Sequence, residues 1–528
     1  MLQSKAFQEK REGSMSLHWV DLAIFVLFFM VVVGFSVYKS RQQRTGEEFF
    51  LAGRGLVWPL IGFSLIAANI STEHFVGMSG QGAGMAGMAV ASYEWMAAIV
   101  LVLVAAFFLP KFLRSGIYTI PEFLEYRYSP TARAIMAFYQ VIVYVAVSIA
   151  AVVYTGALAL HTIFDLDLTL SVWLIGFIAA IYTTWGGLKA VAWADLFQGS
   201  GLILGGLIVM VLGFKAVGGV KTFFAANPEK LHVILPASHP VVPWTALVIG
   251  LWIPNFYYWG LNQFITQRTL AARSLRQGQL GIIWAAFLKL LIPFIIIFPG
   301  IMSYQLFRDK LTAPGATTDM AYPLLIRNLV GPGLRGFILA AIAGAVISTL
   351  GSLLNSVSTL LTMDLYKRHL KKDASSESLV KIGRLANLIF VFCVCLLAPH
   401  LGDPRFKGIF NYIQEFQGYI SPGILAAFIF GLFSQKTPPA AGITSLLACV
   451  PIYGFLKWQF GQIAFLNRMA ITFIILVIIM AIITLLRPLR EPRKLPVQTN
   501  FDLRPAPALK WLGPLIIIIT LTLYAIFW

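Results

Sequence analysis

Within 58–80, an apolar stretch long enough for one membrane helix, stand Asn69, Ser71, Thr72, Glu73 and His74, bracketed by Ala67, Ala68 and Gly77. In hydrocarbon, polar atoms and loosened backbone persist only where protein or a solute satisfies them, so the cluster predicts a binding site at membrane depth. A second pattern lies at 340–359, where Ala345, Ser348, Thr349, Ser352 and Ser356 recur at i, i+3, i+4, i+7 and i+11. On a helix of 3.6 residues per turn they share one face. Close packing, with each hydroxyl bonded to its own backbone, accounts for such a stripe. So does a hard cation such as sodium, which takes neutral oxygens from freed carbonyls of a broken helix and from two adjacent hydroxyls.

Ionisable residues inside apolar runs are few: chiefly Glu73, Glu94, Lys289 and Glu415, with Asp195 at a helix start. Lys289 stands about 13 Å into its predicted helix, too deep to snorkel to the interface. It needs an internal partner, either a carboxylate, for which Glu94 is the candidate, or a ligand. Glu73 and Glu415 fit structural pairing and function equally. Asn69, His74, Glu94, Asn255, Lys289 and Gln414 together offer donors and acceptors, as the hydroxyls of a sugar require, while its C–H face stacks on aromatics. Tyr258 follows Asn255 by three residues with Trp259 beside it, and Phe410 precedes Gln414 by four. Each aromatic alone also fits simple packing, and His74 alone fits a satisfied interior histidine.

The elements that must hold these residues follow from composition. With 58% hydrophobic and 12% charged residues among 528, and a mean hydropathy of +0.80, a water-soluble domain is excluded. The chain reads as an all-α polytopic membrane protein with about fourteen transmembrane helices, one of them the run 324–366. The first run contains Asp21 and lacks a small-residue cleavage site, so it is expected to stay as an anchor. The net charge of +18 comes from alternate loops: Lys39, Arg41, Arg44 and Arg54, then Lys111, Arg114, Arg127 and Arg133, then Arg268, Arg273 and Arg276. Lys367, Arg368, Lys371 and Lys372, and then Arg487, Arg490, Arg493 and Lys494, continue the series. Positive loops face the cytoplasm, which predicts a plasma-membrane protein with both termini extracytoplasmic and no nucleic-acid partner. Cys393, Cys395 and Cys449 lack metal-ligand spacing and read as packing residues. No zinc-peptidase, P-loop or hydrolase motif occurs, so neither an enzyme nor an organic cofactor is expected.

Two runs are interrupted alike: 57–80, and 243–267, where Pro254 and Gly260 flank Asn255–Trp259. Each would open a block of five helices, 57–215 and 243–433, and two tandem blocks of odd helix number have opposite orientations. This predicts a five-plus-five inverted-repeat core whose discontinuous first helices meet at the midplane. A tail (1–16), a first helix (17–38) and three C-terminal helices (438–528) would be peripheral.

At these residues the chain resembles a known family. SLIAANISTEHFVGMSG (64–80), ASYEWM (91–96), GIYTIPEFLEYRY (116–128) and WGGLKAVAWADLFQ (185–198) are similar to the solute:sodium symporter family. NFYYWGLNQFITQRTLAA (255–272), NSVSTLLTMDLYK (355–367) and YIQEFQGYISPGI (412–424) strengthen the likeness, which is greatest to the sodium/galactose and sodium/glucose branch. The resemblance implies sodium-coupled uptake of a monosaccharide by alternating access, with sodium as coupling ion. It implies a sodium site from the backbone carbonyls of Ala67, Ile70 and Ala345 with the hydroxyls of Ser348 and Thr349, and a part in sodium handling for Asp195. It implies sugar contacts from Asn69, His74, Glu94, Asn255, Lys289 and Gln414, an inner gate at Tyr258, and an outer closure by Met78, Tyr93 and Phe410. His74 and Ala97 stand where bacterial galactose carriers have glutamine and serine, which bears on which hexose fits. The other readings are symport of another solute (sialic acid, myo-inositol or an amino acid) and, from a different class, a passive channel or a sensor. The uncharged helix 134–163 argues against an acidic sugar, and no signalling domain is expected.

Overall fold

The structure, a computed structural model, describes residues 18–40, 51–182, 188–403, 408–498 and 501–528. The predicted tail 1–16 and the loop with Arg41 and Arg44 lie outside the described residues. Those residues are helical throughout, apart from loops and one isolated bridge between Leu56 and Ala272. Among the described residues nine helices are long and apolar enough to cross a membrane, and the bent pair Ile409–Gln417 and Ser421–Phe433, at 46° to each other, adds a tenth. Shorter apolar helices cover Trp19–Val32, Trp58–Asn69 and Leu168–Ala180. Helices prevail because in hydrocarbon only a helix satisfies every N–H and C=O from within its own segment. Serine side chains set several starts: Ser129 accepts the Ala132 N–H at 3.2 Å and Ser274 the Gln277 N–H at 3.3 Å.

Both expected interruptions are present. Helix Trp58–Asn69 stops at Ile70, whose backbone is extended (φ −76°, ψ 90°), and the chain resumes as a π-helix over Glu73–Met78 and an α-helix over Ser79–Ala83. The second interruption falls later than Pro254 and Gly260 suggest. Pro254 lies in the first turn of helix Trp252–Phe256, where a missing N–H costs nothing. A π-turn over Tyr257–Leu261 follows, and the break is at Asn262 (φ −86°, ψ 119°). Its side chain accepts the Phe264 N–H at 3.1 Å and the Tyr144 hydroxyl, replacing what the broken ladder loses.

The run 324–366 is two elements, not one: Ala321–Leu329 and a continuous helix from Leu334 to Leu370. The latter begins at Gly333, with φ 86°. Asp21, from the first helix Trp19–Ser40, caps it in place of a local residue, its Oδ1 accepting the N–H groups of Gly333 at 2.7 Å and Gly336 at 2.9 Å. The helices carrying the candidate residues, 275–311 and 334–370, are largely enclosed, while 465–486 and 509–526 are largely open to the surroundings.

Residues 489–498 and 501–506 form a strap across the face that carries the basic loops. Leu489 and Arg493 donate backbone N–H groups to the Lys436 and Gln435 carbonyls, and Gln498 to that of Arg114. Asp502 accepts the Leu275 N–H, and Ala506 donates to Gln279. Helix Leu509–Ile526 then crosses to the opposite face, where the Phe527 carbonyl accepts the Val233 N–H at 2.7 Å.

Candidate functional site

At the first break the Ser71 N–H turns to the Asn69 carbonyl and the His74 N–H to that of Ser71, both at 3.0 Å. The carbonyls of Ala67 and Ile70 thereby lose the donors four residues on that a continuous helix would give them. Polar side chains on both sides of this break and of the second broken segment enclose a cavity of about 50 Å³. Asn69, Glu73, His74, Met78, Tyr93, Glu94, Asn255, Tyr258, Trp259, Phe410, Ile413, Gln414 and Gln417 line it.

Lys289 is fully buried, and its ammonium group donates to both Glu94 Oε2 and Asn69 Oδ1 while lying 4.9 Å from the centre of the Trp259 ring. His74 Nε2 approaches the other Glu94 oxygen at 3.4 Å. The space holds only about one or two waters at ~30 Å³ each, so the polar groups answer one another. Three are left over: His74 Nδ1, the Tyr93 hydroxyl and Gln414 Oε1 have no hydrogen-bond partner among the described residues. Asn255 donates to the Leu251 carbonyl at 2.9 Å. Over the cavity Tyr93 and Phe410 meet edge to face, ring centres 4.9 Å apart at 90°, with Met78 fully buried beside them.

The hydroxyl stripe is brought to a second centre. Ser348 donates to Asp195 Oδ1, and Ser64 of the first broken helix donates to Oδ2 at 2.5 Å. Arg268 completes it, reaching Asp195 at 3.4 Å, Ser64 at 2.8 Å and Ser352 at 3.1 Å. The Ser348 proton is committed, but its oxygen lone pairs remain able to face a cation. The Thr349 hydroxyl has no partner among the described residues, and Ala345 is buried one turn earlier.

The reading of Arg268 as a loop cation is therefore corrected: it is completely buried, its charge spent on Asp195. Arg127 is likewise buried on the Gly431 and Ser434 carbonyls, and Arg133 pairs with Asp364 and with Glu125 at 2.9 Å. Glu415 pairs with Arg468 at 2.7 Å and accepts the Tyr453 hydroxyl at 3.0 Å, outside the cavity lining. Glu73, by contrast, faces the cavity. The sequence reading passed over Trp259 as a partner of Lys289 and over Gln417; helical spacing from Gln414 was the available signal for the second.

Residues 49–447 match the model of the Sodium:solute symporter family. The chain is 40% identical over 496 residues to the sodium/glucose cotransporter of Vibrio parahaemolyticus, covering 89% of this chain and 91% of that protein. It is 33% identical over 465 residues to the sodium/myo-inositol cotransporter 2 of Sus scrofa, covering 82% and 69%. In fold it is similar to a sodium-coupled sialic acid symporter solved in a substrate-bound outward-open state, with a TM-score of 0.79 at 23% identity over 91% of this chain and 100% of that one.

Proposed function

The chain belongs to the sodium:solute symporter family, and on that premise we propose that it imports a monosaccharide of the galactose or glucose kind together with sodium, by alternating access. It is a multi-pass membrane transporter and not an enzyme. The observation that carries the choice of solute is that the ammonium group at the cavity is already paired from within. Lys289 and Glu94 neutralise each other, and Asn69, His74, Asn255 and Gln414 add groups that both donate and accept. A neutral ring of hydroxyls can insert among them and replace each bond it breaks, with Tyr258 and Trp259 as stacking surfaces. The name of the Vibrio parahaemolyticus relative supports a hexose. That of the Sus scrofa relative supports a second reading, myo-inositol, which presents a similar hydroxyl array.

Sodium would sit between the carbonyls of Ala67, Ile70 and Ala345 and the hydroxyls of Ser348 and Thr349, with Asp195 holding Ser348 in place. Such a cation joins the first broken helix to helix 334–370. It thereby stabilises the arrangement open to the outside, in which Met78, Tyr93 and Phe410 stand apart. Solute affinity rises as a result, and by linkage solute tightens sodium by the same factor. Closure of that roof, movement of Tyr258 and loss of both cargoes to the inside complete the cycle. In this reading the five-helix blocks 57–215 and 243–433 are inverted repeats, and helices 17–38 and 438–528 are peripheral. The basic face is cytoplasmic in a plasma membrane, which leaves both termini outside.

The test is uptake of labelled galactose, glucose, myo-inositol and sialic acid into proteoliposomes, with sodium, potassium or choline outside. Accumulation of a hexose above its outside concentration, with sodium alone, is the expected result. Equal entry with all three cations, never uphill, would leave a passive pathway in its place.

A further inference from the structure

Asp319 belongs to none of the groups assigned to solute or sodium. It lies in the turn Thr318–Met320 between helices 275–311 and 321–329, on the face opposite the basic loops, and is 1% exposed. Its Oδ2 accepts the N–H of Ile409 at 3.0 Å, the first residue of the helix that carries Phe410 and Gln414. Its Oδ1 accepts no hydrogen bond among the described residues. That oxygen rests against Gly80, in the outer half of the first broken helix, where an added methyl would come within 2.6 Å of it and within 2.9 Å of Asp319 Cα. On the other side a methyl at Gly408, with φ 98°, would come within 3.2 Å of the same oxygen. The carboxyl group is thus wedged between the two segments that must part for the cavity to open on this face.

Among the described residues only the Ile409 N–H and the Thr317 side chain support the charge of this buried carboxylate, which remains costly, whereas the neutral acid fits the same space and gains a proton to donate. We propose that Asp319 is a positioning residue of the outer gate, holding the outer half of the first broken helix against the start of helix 409–417 while protonated and releasing them when ionised. This rests on the transporter reading, which makes that face the outer one.

The surroundings agree. Tyr154, on helix Ala150–Phe164, is within electrostatic reach of the carboxyl group, and His161 of that helix is held by the Leu166 carbonyl. Glu73 and His74 lie on the neighbouring π-helix, and Tyr322 and Arg327 on Ala321–Leu329, the arginine paired with Asp165 at 2.7 Å. None of these bonds to Asp319 among the described residues. Burial pushes the Asp319 carboxyl up to about 7. Opened to water it returns to about 3.9, so the closed gate binds the extra proton. Closure is supported at low pH and loses that support as pH rises through about 7. Lys230 donates to the Ala83 and Gly84 carbonyls at 2.9 and 2.6 Å at the end of the same half-helix, with Arg308 and Glu229 near it. Burial pushes its ammonium down to about 8, so it favours closure as pH rises, against the effect of Asp319, and has to be separated by mutation.

The test is hydrogen exchange of segments 73–83 and 409–417 in the reconstituted full chain at pH 6 and pH 8, corrected for intrinsic exchange. The wild type is expected to lose about tenfold in protection between the two, and Asp319→Asn to lose most of that response and stay closed at both. A wild type without the response, or Asp319→Asn with the wild-type response, overturns the proposal. Should Asp319→Asn not fold, Gly80→Ala, which crowds the carboxyl group out, is expected to be poorly protected at both pH values, and wild-type protection there overturns it. Exchange needs no solute, so failure of every sugar to be transported would sink the functional reading without deciding this one.

Discussion

Lys289 is fully buried, so its charge is answered from within, by Glu94 and Asn69, and in the proposed cycle also by a solute hydroxyl. Lys289→Ala leaves Glu94 with His74 alone and is expected to raise the half-saturating solute concentration about 100-fold, and Gln414→Ala about tenfold, as for one charged and one neutral hydrogen bond. Ser348→Ala is expected to raise the sodium requirement instead, with solute affinity near normal at saturating sodium. Uptake with both cargoes varied separates the two, and equal shifts on both would remove the division of roles. Glu415, which the sequence left between pairing and function, is drawn to Arg468, so Arg468→Ala is expected to destabilise by about 3 kcal/mol, read as a lower thermal midpoint. Pairing with Glu94 was legible because few carboxylates occur within apolar runs. Arg268 was not, because sign and spacing alone cannot distinguish a loop cation from one drawn inside by Asp195, 73 residues away.

The broken helices show which backbone events a sequence displays. Polar residues inside 58–80 betray the first break because they have no other reason to stand there. In the second segment proline and glycine drew attention to 254–260, yet the ladder fails at Asn262, where a side chain substitutes for backbone. Asn262→Ala removes that cap and strands the Tyr144 hydroxyl, with an expected cost of about 1–2 kcal/mol. Exchange over 257–270 should then quicken more than over 334–359, and uniform quickening would mean the cap has no local role. The division of 324–366 at Gly333 was hidden for a different reason. Its capping carboxylate, Asp21, comes from the other end of the chain, and hydropathy carries no sign of it.

At the scale of the molecule, the all-helical membrane class followed from composition, while the ties between distant parts did not. Phe527 packs near Trp95 and Phe298, with ring centres 5.9 and 6.1 Å away. Phe527→Ala is expected to cost about 2–4 kcal/mol, lowering the thermal midpoint while leaving sodium and solute affinities unchanged; altered affinities would show that helix 509–526 takes part in the cycle. The strap segments 489–498 and 501–506 and this helix hold parts of the chain far from them in sequence, one face after the other. Every partner they grip leaves the ribosome earlier than they do. A nascent chain therefore possesses all the proposed cargo ligands before it possesses its fastening, and a translation product stopped in the 480s would carry them in an unlatched body.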